Sequence, residues 1–211
     1  MDETYFYQER LRSLGIEIDL RDIPEKKYIC SFQNLEKIEN RIPKFNRSII
    51  FLGKSDYHYL TYIFLKRINI PIILITIDYH FDTKETFENY ISCGSWLLEA
   101  MKLKNIKKII SINSREDLEK RLKNIVLELP LYVSIDKDIL DKCYLDTNWD
   151  QGDFSLEDLF KLISSFSCHN IIGIDICGEP SFNIYEYKRS EKINLEILKI
   201  IMERNKIKMS A

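Results

Sequence analysis

The chain has 211 residues, 45% hydrophobic and 30% charged, which suits one globular domain with a full core. Lys and Arg (31) nearly balance Asp and Glu (33), so no single-sign field marks it for nucleic acid. No apolar run is long enough to span a bilayer, so no membrane is expected as a partner, and the polar start Met1-Asp2-Glu3-Thr4-Tyr5 does not read as a secretory leader.

The five cysteines (Cys30, Cys93, Cys143, Cys168 and Cys177) are scattered, without Cys-x-x-Cys spacing. They read as packing or spectator thiols in a reduced, cytoplasmic setting. The aromatic start Tyr5-Phe6-Tyr7 could contact a partner, with packing the preferred reading. Continuous Ile/Leu/Val-rich runs predict strands at Tyr28–Phe32, Ser48–Leu52, Ile72–Ile77, Lys108–Ile112, Leu131–Ile135 and Ile171–Ile176. Amphipathic segments predict helices over Tyr57–Arg67, Ser95–Leu103, Arg115–Glu128, Ser155–Phe166 and Asn194–Arg204. Ser114 is a predicted N-cap, and Ser155-Leu156-Glu157-Asp158 reads as a capping box with aspartate in the glutamate place. Alternation of this kind predicts an α/β protein: a mostly parallel sheet between two helical layers, α/β/α. Ligands of such sheets bind beyond the carboxyl ends of the strands.

Acidic clusters fall at those ends. Asp78-Tyr-His80-Phe-Asp82 follows one strand and Asp136-Lys-Asp138 another. In extended chain, alternate residues point the same way, so each cluster can converge its side chains. A third candidate, Gly53-Lys-Ser-Asp56-Tyr-His58, follows the Ser48–Leu52 strand; Gly53 permits a sharp turn and His58 projects from the next helix. Burying several carboxylates together is strongly unfavourable without a cation. The donors are too many for one catalytic ion with an open position and suit two. An oxygen-rich set with one or two imidazoles suits Mn²⁺ and accepts Fe²⁺, Co²⁺ or Zn²⁺. Paired ions are a known solution for hydrolysis.

The order and spacing of these motifs resemble the arginase/ureohydrolase family over roughly residues 48 to 181. The family pattern is Gly-Gly-Asp-His, then Asp-Ala-His-x-Asp, then Ser-x-Asp-x-Asp-x-x-Asp-Pro. Here they read Gly53 to His58, Asp78 to Asp82, and Ser134-Ile-Asp136-Lys-Asp138-Ile-Leu-Asp141. Thr147 to Ser155 is similar to the family's Thr-Pro-x-x-Gly-Gly-Leu-Ser/Thr, and Gly173-Ile-Asp175-Ile-Cys-Gly-Glu179-Pro180 to its Asp-Ile-x-Glu-x-Asn-Pro. The resemblance implies an arginase/deacetylase-like fold and two Mn²⁺ ions held by His58, Asp78, His80, Asp82, Asp136 and Asp138. It also implies catalytic roles for Asp82 or Asp138 in proton transfer and for Glu179 in holding the substrate cation. Asp82 and Asp136 separate the chain from the one-zinc deacetylases.

The departures are specific. One residue separates Asp56 from His58, Glu179 comes two residues late, and the loop after Asp82 lacks the family's catalytic histidine. Ser92-Cys93-Gly94-Ser95-Trp96 resembles a segment of small arginase-like proteins, including peptide arginases. Ser95 and Trp96 are therefore substrate-side candidates, Trp96 by stacking on guanidinium or, alternatively, as a helix anchor. Cys93 reads as a packing residue and His169 as a surface loop residue. The activity implied is hydrolysis of a non-peptide C–N bond, converting an arginine side chain, free or in a peptide, to ornithine and urea. A small guanidino or amide hydrolase, deacetylase-like included, and a non-catalytic module of the same fold are the alternatives. The partner expected is a guanidino substrate, and a homo-oligomer is compatible with the sequence.

Overall fold

The computed structural model describes residues 3–44, 47–122, 128–166, 169–181 and 183–205. Five strands form the main sheet: β2 (Ile49–Phe51), β3 (Ile72–Ile77), β5 (Ile106–Ile112), β6 (Leu131–Asp136) and β7 (Ile171–Cys177). Their order is β2-β7-β6-β3-β5, and all the pairings are parallel. The central strands β3 and β6 are buried along their whole length, as expected of aliphatic strands covered on both faces.

Two apolar cores flank the sheet. On one side, β3 residues Ile73, Ile75 and Ile77 pack with Leu118 of α5 (Arg115–Leu122), Leu159 and Leu162 of α6 (Leu156–Ser165), and Ile193 and Ile197 of α7 (Ile184–Asn205). On the other, Ile72 and Leu74 meet Leu35 and Ile38 of α2 (Phe32–Arg41), Ile63 of α3 (Thr61–Lys66), and Trp96 and Leu97 of α4 (Trp96–Met101). The expected three-layer α/β/α architecture is the one observed. Both predicted caps form: Ser114 Oγ accepts from the Asp117 amide at 3.2 Å, and Ser155 and Asp158 make a reciprocal capping box.

Some elements differ from expectation. The Tyr28–Phe32 candidate is a short strand, β1 (Ile29–Ser31), that pairs antiparallel with β4 (Tyr90–Ser92) outside the main sheet. Its last residue, Ser31, caps α2, an unpredicted helix whose buried Leu35 and Ile38 stand at helical spacing. The short helix α1 (Glu9–Arg12) was also not predicted. The segment predicted as a helix over Tyr57–Arg67 begins as a 3-10 turn, Ser55–Leu60, before α3. Residues 123–127 of the Arg115–Glu128 prediction, and Cys168, lie outside the described residues. Helix α7 starts ten residues before the predicted Asn194 because Ser190, Glu191 and Asn194 are buried polar groups and break the apolar periodicity. Tyr5 and Tyr7 do pack: Tyr5 meets Phe51 edge-on and Tyr7 stacks on Tyr187.

Candidate metal centre

The register of the sheet assembles the site. Thr76 pairs with Ser134, Ser134 with Asp175, and Asp136 with Cys177. Paired residues of neighbouring strands share a face, so the polar ends of β3, β6 and β7 form one floor. Above it, Gly53 at φ +105° turns the chain out of β2 into the 3-10 turn that carries Ser55, Asp56 and His58. Gly178, at φ +82°, leaves space that a Cβ would take from Asp136, whose Oδ1 it would approach to 2.5 Å.

All six residues expected as ligands line a single cleft of about 620 Å³. Donor atoms of His58, Asp78 and Asp82 form one cluster, and those of Asp78, His80 and Asp138 form another. Asp78 belongs to both. His58 Nδ1 stands 3.2 Å from Asp78 Oδ2, 3.2 Å from Asp82 Oδ2 and 3.5 Å from Asp136 Oδ2. His80 Nδ1 is 2.8 Å from Asp138 Oδ2. The backbone fixes the carboxylates: the amide of His80 donates to Asp78 Oδ1 at 2.6 Å, that of Tyr79 to Asp138 Oδ1 at 3.2 Å, and that of Asp138 to Asp136 Oδ1 at 3.0 Å. Asn113 Nδ2 donates to the carbonyls of Asp78 and His80 and holds the first motif in place.

The protonation of His58 follows from its neighbours. Ser134 Oγ donates its one proton to Asp175 Oδ1 at 2.7 Å, so at 2.9 Å from His58 Nε2 it must accept. The ring therefore carries its proton on Nε2 and turns Nδ1 inward. That Nδ1 is buried and has no hydrogen-bond partner among the described residues. A lone pair facing three carboxylates is repulsive unless a proton or a metal cation lies between them. Burial opposes charge on the His58 ring, yet Cys177, Asp78 and Asp82 raise its pKa well above the ordinary value. Burial, then the neighbouring carboxylates, likewise push Asp78 and Asp138 well above the usual range. A site that draws protons so strongly is starved of positive charge, and this donor set fits divalent cations.

The substrate-side candidates are placed differently. Glu179 is fully buried and does not line the cleft. Its carboxylate accepts from Gln8 Nε2 at 2.5 Å, Ser190 Oγ at 2.8 Å, Asn194 Nδ2 at 2.8 Å and the Lys137 ammonium. Its partner is thus an internal cation, and the expected guanidinium contact is corrected: neither carboxylate oxygen is left free for substrate. Trp96 is also fully buried. Its Nε1 donates to Asp82 Oδ2 at 2.5 Å, and its ring lies 4.7 Å from that of His58. It anchors two of the expected ligands, and its burial removes it from the cleft surface where it would stack on substrate. Ser95 is spent on a local turn, its Oγ accepting from the Ser92 amide at 2.8 Å.

Other residues line the cleft in their place: Trp149, Tyr79, Phe81, Lys84 and Asp117. Trp149 Nε1 donates to buried Asp56 Oδ1 at 2.9 Å, which sets the indole beside the His80 ring. Cys177, read from sequence as a spectator, lies within a cluster with His58 and Asp136. Its alternation with Asp175 on a strand ending in the family motif was the available signal.

This fold recurs among solved structures. The chain superposes on formiminoglutamase from Trypanosoma cruzi, solved with two Mn²⁺, with a TM-score of 0.66 at 13% identity, covering 94% of this chain and 84% of that one. For Entamoeba histolytica arginase, solved with L-ornithine, the TM-score is 0.62 at 15% identity, with 94% and 90% covered. For proclavaminate amidino hydrolase of Streptomyces clavuligerus it is 0.64 at 15%, with 82% and 70% covered. The fold is therefore the arginase-like ureohydrolase fold. No family model matches the sequence. The chain is 34% identical to an uncharacterized protein of Thermotoga maritima over 94% of its own length and 86% of that protein's. It belongs to one family with that protein.

Proposed function

We propose that the chain is a hydrolase dependent on two divalent cations, Mn²⁺ among those its donors suit, that cleaves a guanidino C–N bond. The observation that carries this reading is the pair of donor clusters joined by Asp78 at the floor of the cleft. His58, Asp78, Asp82 and Asp136 would hold one ion, and Asp78, His80 and Asp138 the other. Such ions, when bound, supply Lewis acidity and lower the pKa of water toward neutrality.

The chain's own residues do the rest. Asp82 lines the cleft with its side chain 11% exposed and is fixed by Trp96. It takes the proton of the attacking water and returns it to the leaving amine. Trp149 offers a face for a planar cation, and Asp117 a carboxylate at the cleft wall. Tyr79 and Phe81 are 41% and 68% exposed at the cleft. An open aromatic rim suits an arginine side chain carried on a peptide, giving ornithine and urea as products.

The test is urea release by the Mn²⁺-loaded protein from an arginine-containing peptide, free arginine, agmatine and formimino compounds. Release from the peptide alone is the expected result. Turnover of only a small guanidino or amidino compound transfers the reading to that class, and full metal loading with no turnover of any of them contradicts it.

A further inference from the structure

Cys177 ends β7 fully buried, but its sulfur does not sit among aliphatic groups alone. Its strand partner is Asp136, and Sγ lies 3.1 Å from Asp136 Oδ2. The donor atoms of His58, Asp136 and Cys177 all lie within 4.8 Å of one another. Donors bound at about 2.0–2.3 Å from one ion stand roughly 3–4.5 Å apart. The 3.1 Å between sulfur and Asp136 and the 3.5 Å between Asp136 and His58 Nδ1 are separations of this kind. The second observation does not involve the thiol: His58 is 1% exposed, and its Nδ1, without a hydrogen-bond partner among the described residues, faces Asp136 Oδ2 at 3.5 Å.

We propose that Cys177 is a thiolate ligand of the ion held by His58 and Asp136, so that the centre is a mixed sulfur, nitrogen and oxygen site. This rests on the reading that the cleft binds two divalent cations. Coordination replaces the S–H bond by a sulfur–metal bond, and the proton leaves to solvent. Two consequences follow. A soft donor moves the preference of this position toward Zn²⁺, Co²⁺ or Fe²⁺ and away from Mn²⁺. The charge of the loaded centre changes as well. Two divalent ions balance the carboxylates of Asp78, Asp82, Asp136 and Asp138, so the thiolate leaves one negative charge facing a cleft suited to a cationic guanidinium.

Titration of the metal-free full chain with Co²⁺ tests this. The expected result is two equivalents bound, with a thiolate-to-cobalt charge-transfer band in the near ultraviolet. The band is lost in Cys177→Ser and kept in Cys93→Ser, which alters the thiol lining the cleft. The ratio of Zn²⁺ to Mn²⁺ affinity should fall on the order of tenfold or more in Cys177→Ser. X-ray absorption of the Zn²⁺-loaded wild type needs no variant and should show a sulfur neighbour at about 2.3 Å. Two ions bound with no charge-transfer band, or a zinc shell of nitrogen and oxygen only, overturns the thiolate ligand while leaving the two-ion centre standing. No Co²⁺ bound overturns both.

Discussion

His58 Nε2 and Ser134 Oγ lie 2.9 Å apart, and because the hydroxyl proton goes to Asp175, the serine sets which imidazole nitrogen faces the carboxylates. Groups that orient a ligating histidine typically contribute 10- to 100-fold in metal affinity. Ser134→Ala should weaken binding of the ion assigned to His58 by about that factor, as read by competition with a chelator. Unchanged affinity would mean the tautomer is set elsewhere.

Trp96 holds Asp82 through its indole nitrogen and packs on His58 through its ring. Trp96→Phe keeps much of the packing and removes the donor. Turnover should fall on the order of tenfold with little change in unfolding midpoint. Loss of stability in step with activity would assign Trp96 to the core alone.

The buried pair of Lys137 and Glu179 lies between α7, the N-terminal segment and the turn that carries Asp136 and Asp138. Removing one member strands the other, at a cost of about 3–5 kcal/mol. Glu179→Gln should lower the denaturant midpoint accordingly, and Lys137→Met with Glu179→Leu should recover part of the loss. If Glu179 instead bound substrate, Glu179→Gln would raise KM without lowering stability.

Removing the metal should reverse an ordinary pH trend. In the metal-free fold, Asp78 and Asp138 have pKa values raised above the ordinary 3.8 by burial and neighbouring carboxylates. The folded state therefore binds more protons than the unfolded one, and stability declines as pH rises from about 3.8 upward through the raised values. Denaturation of chelated protein at a series of pH values should show this decline, and saturating divalent cation should abolish it. A chelated protein growing more stable over the same range would contradict the assignment.

Much of this was legible because strand-end motifs are local. Asp78, His80 and Asp82 occupy five residues, and the six expected ligands do meet in one cleft, although a bend at residues 79–80, a positive φ at Asp82 and the 3-10 turn Lys137–Ile139, not extended alternation, aim them. What stayed hidden is non-local. Glu179 could be assigned to substrate only by motif position, since its partners come from three separate stretches, Gln8, Lys137, and Ser190 with Asn194 on α7. The same network conceals the first half of α7, where polar side chains face inward. Cys177 gains its meaning from lying beside Asp136 in the parallel register, which no single stretch of sequence displays. Trp149 reaches the cleft through a bond to Asp56, 93 residues away.

The central claim is that Asp78 joins two cation positions. Equilibrium dialysis against Mn²⁺, Co²⁺ and Zn²⁺ with elemental analysis of the retained protein tests it most directly. The account predicts two ions per wild-type chain for at least one of these metals and loss of both in Asp78→Ala. Asp78→Ala retaining two ions per chain, or a folded wild type retaining none, would contradict it.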